Sequence, residues 1–206
     1  MTAENWSIID ITRNKAYEKY LYRCFVLPFR KYKQRQEYLK LAIAKGFHKK
    51  LLIFNEKPVG QIEYAPAEAS YYPIIGDNIT VMNCIWVLRK AKGHNFGKRL
   101  FANMLKSEKN AQGFATLALE NHWSPWIKKE HMEKFGFESI DFVQVRHKTK
   151  HVKQCFKIHL MWQPAKNMAE PPNWDREKLL EGVKFCMAHP LYHPEKLENK
   201  EILEKC

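Results

Sequence analysis

Apolar positions along the chain alternate between two spacings, and the alternation predicts its elements. Ser7-Ile8-Ile9-Asp10-Ile11-Thr12 is a short β-rich run and reads as a first strand. From Asn14 to Phe25, the residues Tyr17, Leu21, Tyr22 and Phe25 recur three and four apart. That is the spacing of one helix face, with Asn14 as cap and Pro28 as breaker. Gln34 to Ala44 repeats the spacing through Tyr38, Leu41 and Ala42 until Gly46 stops it. Leu51 to Phe54 and Val59 to Tyr64 then flank Asn55-Glu56-Lys57-Pro58, the pattern of a β-hairpin.

Further along, Pro66, Pro73 and Gly76 mark residues 65–78 as a loop, and Ile79 to Val87 is a strongly apolar strand. Phe96 to Lys109 is helical in pattern, with Leu100, Phe101, Met104 and Leu105 facing inward. Phe114 to Leu119 is the next strand, and Pro125 to Phe135 a shorter helix ended by Gly136. Phe137 to Val145 and Cys155 to Trp162 complete the strands, on either side of the basic segment Arg146 to Lys153. The order β, α, α, β, β, β, α, β, α, β, β predicts an α/β layered (α+β) fold. Beyond Trp162, Gln163-Pro164 and Pro171-Pro172 bracket a linker. Asp175 is placed to cap a helix carrying Leu179, Leu180, Val183 and Phe185, and Pro194 to Cys206 is a charged, amphipathic tail. The chain therefore divides into a main domain, residues 1–165, and a partly helical extension, residues 166–206, that packs on it or meets a partner.

Composition narrows the class. With 206 residues, 45% hydrophobic and 28% charged, the chain is long enough for one full core. No apolar run approaches the roughly 18–20 residues of a membrane span, and residues 1–10 lack the pattern of a secretory signal. Five widely spaced cysteines without a CxxC pair favour thiols in a reducing compartment, hence a cytoplasmic location. The formal charge of +13 attracts anions, with solubility as its plainer explanation. Nucleic acid is disfavoured as a partner, although charge does not exclude it, and oligomerisation is left open. Cys186, His189 and His193 have metal-like spacing but no convincing fourth ligand, so no metal site is expected. Trp123, Trp126 and Trp174 read as packing or pocket walls, since no basic stripe interleaves them.

The chemistry is concentrated between Val81 and Leu100: a buried strand, a short basic loop with two glycines, then a helix. Such a join sets open backbone amides at a helix N-terminus beside Lys92, Lys98 and Arg99, which is a phosphate-binding arrangement. This segment resembles motif A of the GNAT N-acetyltransferase superfamily, in which [Gln/Arg]-x-x-Gly-x-[Gly/Ala] follows a strand-end valine by five residues. Val87 stands at that valine, Lys92 at the Gln/Arg, Asn95 at the first glycine and Gly97 at the second. Asparagine is the residue that best tolerates the left-handed conformation after glycine. Met132-Glu133-Lys134-Phe135-Gly136-Phe137 resembles the Tyr-x-x-x-Gly-Phe end of motif B, with Met132 in the tyrosine's place. Asn121-His122-Trp123-Ser124-Pro125-Trp126 is similar to the His-Trp-x-Pro run of a YoaP-like branch.

The resemblance covers residues 8–162 and implies a mixed, mostly antiparallel sheet that splays between strands Ile79–Val87 and Phe114–Leu119, with flanking helices. It implies acetyl-CoA as co-substrate: main-chain groups of Ile85, Trp86 and Val87 would line the pantetheine arm. Amides of Lys92, Gly93, His94, Asn95, Phe96, Gly97 and Lys98 would hold the pyrophosphate. The acceptor, a small-molecule or peptide amine, attacks the thioester directly in a ternary complex. In many relatives the motif B tyrosine protonates the departing thiolate, which Met132 cannot do. An alkyl ammonium must lose a proton before attack, and Glu120 and His122, at the end of the 114–119 strand, are the candidate base residues. Glu63 and Tyr64 are candidate substrate contacts, and Cys84 reads as a small buried hydrophobe. The rival reading is a GNAT-shaped module that binds CoA or a partner with little turnover.

Overall fold

A computed structural model describes residues 5–12, 14–22, 24 and 32–206. Phe25 and Pro28, the expected end and breaker of the first helix, lie outside the described residues. The strands are β1 (Trp6–Asp10), β2 (His48–Phe54), β3 (Lys57–Pro66), β4 (Ile74–Ile75), β5 (Ile79–Val87), β6 (Gly113–Glu120), β7 (Glu138–His147), β8 (Phe156–Pro164), β9 (Asn173–Trp174) and β10 (Leu203–Lys205). The helices are α1 (Glu18–Leu21), α2 (Lys33–Ala44), α3 (Phe96–Ser107), α4 (Lys129–Glu133) and α5 (Arg176–Leu179). Before α1, Asn14 Oδ1 accepts the amide of Ala16, as a cap does. Asn55 and Glu56 both take positive φ, 47° and 62°, the conformation a two-residue hairpin turn requires. Among the described residues no helix is long and apolar enough to cross a membrane.

One sheet runs in the order β1-β2-β3-β5-β6-β8-β7-β10, and β4 pairs with β9 apart from it. Every neighbouring pair in the large sheet is antiparallel except β5 and β6. These two are parallel only at Ile79↔Gly113, Thr80↔Phe114 and Val81↔Ala115. Beyond Val81 they separate. At the fork Thr116 Oγ1 donates to the carbonyl of Met82 at 2.7 Å. The register between β3 and β5 shifts at the same level, from Glu63↔Cys84 to Tyr64↔Met82, so Asn83 is an extra residue on β5. Such a bulge bends its strand. Buried Asn83 is anchored by its amide nitrogen, which donates to the Ser70 carbonyl at 2.6 Å.

Alternation along the strands sends neighbouring residues into two cores. One holds Leu52, Ile62, Met82, Phe114 and Met161 under Phe96, Leu100, Phe101 and Met104 of α3. The other holds Leu51, Val81, Leu117 and Leu160 with Tyr38 and Leu39 of α2 and Phe185 and Leu191 of the extension. Residues 166–206 thus pack on the main body, and they do so as part of its core.

Three predicted helices are shorter than expected, the first of them α1, which follows a 3-10 turn at Lys15–Tyr17 and ends at Leu21. Residues 125–128 do not join α4: Ile127 accepts the amide of Leu119, and Lys128 pairs with Leu119, which prolongs the sheet beside β6. In the extension, Asp175 caps α5 by accepting from the amide of Lys178 at 2.9 Å. The helix ends at Leu179, and Gly182 follows at φ 74°, where a Cβ would lie 2.5 Å from the Leu191 carbonyl. The expected amphipathic tail ends as strand β10, paired with β7.

The cysteine reading is corrected. Cys155 and Cys206 form a disulfide across 51 residues of sequence, because β10 lies against β7 and brings the chain back to the start of β8. Cys24, Cys84 and Cys186 are buried thiols. The argument for a reducing compartment loses its support from the first pair. A loop of this length contributes about 2–4 kcal/mol when closed. Dithiothreitol is therefore expected to lower the urea unfolding midpoint. An unchanged midpoint, with both thiols verified as reduced, would show the bond to be energetically idle.

Candidate active site

The fork creates the site. Past Val81, β5 remains bonded to β3 on one edge, with Ile62↔Ile85, Gln61↔Trp86 and Gly60↔Val87, while its other edge has left β6. Ile85, Trp86 and Val87 are half-buried there. A 3-10 turn at Arg89–Ala91 reverses the chain, with the buried methyl of Ala91 beneath it. Gly93 follows at φ 93°, with open space where a Cβ would point. Asn95, the N-cap of α3, is left-handed at φ 55° and ψ 23°. The first helical bond runs from the Arg99 amide to the Asn95 carbonyl at 3.1 Å. The preceding amides of Phe96, Gly97 and Lys98 form the electropositive opening of the helix.

A cleft of about 630 Å³ lies between β5, the 89–98 segment and α4. Its floor is apolar, built from Trp86, Trp126, Ile127, Met132 and Phe135. Arg89, Lys92, Lys98 and Lys134 add positive charge. Of the residues expected around the cofactor, Ile85, Trp86, Val87, Lys92, Asn95, Gly97 and Lys98 line this cleft. Gly93, His94 and Phe96 do not: the His94 ring stacks on buried Phe96 and meets Phe54 instead. Arg89 and His131 line it without having been singled out, and so do Lys134 and Phe135, which were named only as part of the motif B run. The i, i+3, i+4 spacing of His131, Lys134 and Phe135 was the available signal.

The structure does not bring Glu120 and His122 to the cleft. Both line a neighbouring cavity with Asn121, Lys128 and Lys129. The Glu120 carboxylate is 2.8 Å from Lys157 and 3.6 Å from His159. The Lys157 hydrogen bond holds its carboxyl below the usual range, which weakens it as a base. His122 accepts the Ser124 amide at Nδ1 and meets His147 Nε2 at 3.3 Å.

Glu63 is buried, held by Arg35 and Lys49 at 2.8 Å each, and so is not open to a substrate. Burial alone would raise its carboxyl, but Arg35 and then Lys49 outweigh that and hold it below the ordinary range. Tyr64 is buried on the other face, stacked on the His48 ring at 5.2 Å. Cys84 is buried as expected, and burial pushes its thiol up, as far from a nucleophilic thiolate as the site provides. Cys186 sits 3.8 Å from Cys24, while His189 and His193 turn to Tyr72 and to the Glu181 carbonyl. Among the described residues no cluster fit for a metal ion forms.

The His122–His147 pair carries a pH dependence. Burial lowers both rings to about 4, helped by His147 and His151 for the first and by Lys150 and His151 for the second. Unfolded histidine titrates near ~6.5, so the unfolded chain binds more protons between that value and 4. Stability is expected to fall as pH drops through this window, by about 2 kcal/mol per ring at most between pH 7 and 5. His147→Gln should flatten the decline of the unfolding midpoint. An equal decline in wild type and variant would locate the acid sensitivity elsewhere.

Comparison with solved structures identifies the architecture. A GNAT family acetyltransferase from Elizabethkingia anophelis, solved with acetyl-CoA bound, matches 78% of this chain and 98% of its own, with a TM-score of 0.53 and 14% identity. The chain has the GNAT fold. The aminoglycoside 6′-N-acetyltransferase from Enterococcus faecium gives the same GNAT architecture, with a TM-score of 0.55 over 80% of this chain and 99% of its own, at 12% identity. In sequence, the uncharacterized N-acetyltransferase YoaP of Bacillus subtilis (strain 168) is 26% identical over 143 residues. That match covers 65% of this chain and 54% of YoaP, so the chain spans about half the length of this curated relative. No protein-family model matches the chain.

Proposed function

We propose that this GNAT-fold chain is an acetyl-CoA-dependent N-acetyltransferase that transfers acetyl to a primary amine by direct attack within a ternary complex. The observation that carries this reading is the fork: β5 and β6 part beside the open N-terminus of α3, and a cleft opens between β5, the 89–98 segment and α4. An extended arm laid along Ile85 to Val87 would find unspent backbone groups on the edge that left β6. A pyrophosphate at the α3 opening would meet the amides around Asn95 to Lys98, with Arg89, Lys92 and Lys98 neutralising its charge. The amine nitrogen then bonds to the acetyl carbon, the carbon–sulfur bond breaks, and the sulfur takes up a proton. Met132 walls the cleft where a donor would be useful and cannot supply that proton.

Met132 is also the observation that favours the second reading, a module that binds CoA without turnover. Release of free thiol from acetyl-CoA in the presence of amines separates the two. The cofactor assignment is tested at Gly97. A Cβ there would touch only the Phe135 ring, at an ordinary 3.5 Å, so Gly97→Val is expected to fold. Its branched side chain stands in the cleft, and acetyl-CoA affinity measured by calorimetry is expected to fall about tenfold or more, the equivalent of ~1.4 kcal/mol. Unchanged affinity in the folded variant would remove the assignment.

A further inference from the structure

The cleft has a counterpart on the opposite face of the sheet. A cavity of about 150 Å³ lies where the extension crosses the fork, and it shares Trp86, Pro125 and Trp126 with the cofactor cleft. Its other walls are Cys24, Cys84, Ser124, Cys186 and Ala188. None of the described residues lining it is charged. The groups behind it do not invite a cation either. Gln61 Nε2 lies 3.3 Å from Cys84 Sγ and 3.5 Å from Glu63, so the buried Arg35–Glu63–Lys49 triad stands directly behind the wall. There the Glu63 carboxylate is already met by Arg35 and Lys49 and is not offered to the cavity. The nearby His189–Tyr72 pair is satisfied internally: His189 accepts the Leu191 amide at Nδ1 and meets the Tyr72 hydroxyl at Nε2, 2.8 Å away. Its ring edge faces Trp126 at a centroid distance of 4.4 Å, so no base reaches the cavity from there.

These features disfavour the usual acceptor state. An alkyl ammonium with a pKa near ~10.4 is neutral in roughly one molecule in 2,500 at pH 7. To react here it would enter an apolar cavity charged, within a chain of formal charge +13, and find no described carboxylate lining it to deprotonate it. We propose that the acceptor is a small, weakly basic amine of the arylamine class, seated in this cavity with its nitrogen uncharged at neutral pH. This rests on the acetyltransferase reading above and names its substrate class. The chemistry closes without a protein acid or base. The arylamine lone pair bonds to the thioester carbonyl carbon, the carbon–sulfur bond breaks, and the proton lost by nitrogen ends on sulfur. The products are an N-aryl acetamide and CoA thiol. An acceptor that carries its own transferable proton suits a cleft whose wall presents Met132.

The test uses the full chain with acetyl-CoA and two amines one methylene apart, aniline and benzylamine, with spermidine as a polycation. Thiol release gives rates, mass spectrometry identifies the amide, and calorimetry reports acetyl-CoA binding separately. Aniline is expected to exceed benzylamine in kcat/KM by about tenfold or more at pH 7, given the scarcity of neutral alkylamine. Its rate should be flat from about pH 6 to 9, while any benzylamine rate climbs about tenfold per unit. Ala188→Leu should raise the KM for aniline several-fold and leave acetyl-CoA affinity unchanged. Equal or faster turnover of benzylamine or spermidine overturns the substrate class, as does turnover of none of the three by a chain that binds acetyl-CoA. An unmoved KM in Ala188→Leu removes the cavity as the seat. Failure to bind acetyl-CoA would instead overturn the parent reading, and this inference with it.

Discussion

Arg35→Ala is expected to destabilise the fold by about 3–5 kcal/mol, the range for removing one partner of a buried ion pair. Arg35 is 2% exposed and Glu63 3%. The guanidinium donates to Glu63 at 2.8 Å, to the Leu21 carbonyl at 3.3 Å and to the Phe185 carbonyl at 3.5 Å. It thereby links α1, β3 and the extension. Its removal leaves Glu63 with Lys49 and the longer Gln61 contact, takes a donor from the Leu21 carbonyl while that of Phe185 keeps the Tyr32 hydroxyl, and opens a void beside Tyr38 and Phe47, over whose rings the guanidinium lies. Arg35→Met refills most of the void without restoring charge, so the difference between the two variants isolates the polar part. Urea unfolding at pH 7 reads both. A loss below about 1 kcal/mol in Arg35→Ala, the scale of an exposed pair, would show that the triad contributes little to stability.

A chain ending at Ala165 is expected to lose cooperative unfolding altogether. It would lack Leu179, Val183, Phe185, Leu191 and Leu203, each at most 2% exposed, together with β9, β10 and the disulfide. Burying one such apolar side chain is worth about 1.5–3 kcal/mol, and five approach or exceed the 5–15 kcal/mol by which domains are typically stable. Calorimetry of the truncated protein should show no transition peak. A sharp transition at the full-length Tm would make residues 166–206 an appendage, and the division at 165/166 a boundary between folding units.

The fold was legible where a single period dominates. Ile79 to Val87 is β5 to the residue, because a strand covered on both faces is apolar at nearly every position. Leu100, Phe101 and Met104 mark the buried side of α3 as expected. Asn95 could be read because few residues tolerate its conformation, and the structure places it at φ 55°. Other features depend on contacts that spacing does not encode. Cys155 meets Cys206 only because β10 lies on β7. Glu63 looked available because a polar residue on a hairpin usually faces water. In a central strand it faces a second core, and its partners, Arg35 and Lys49, sit on α2 and β2. Glu120 ends β6 and His122 follows it closely, but the end of that strand carries them toward Lys157 and His147, away from the cleft.

Trp86, Pro125 and Trp126 are common to two adjoining chambers. A ligand that presses on the Trp126 indole from one side alters the surface offered to a ligand on the other. Their binding free energies then contain a common part, and thermodynamic reciprocity fixes its symmetry. Whatever factor a bound thioester applies to the affinity of the second substrate, the second substrate applies to the thioester. Substitution of Trp126 should therefore change both affinities and also the factor that couples them, so a measurement on either chamber alone would misjudge what this indole does.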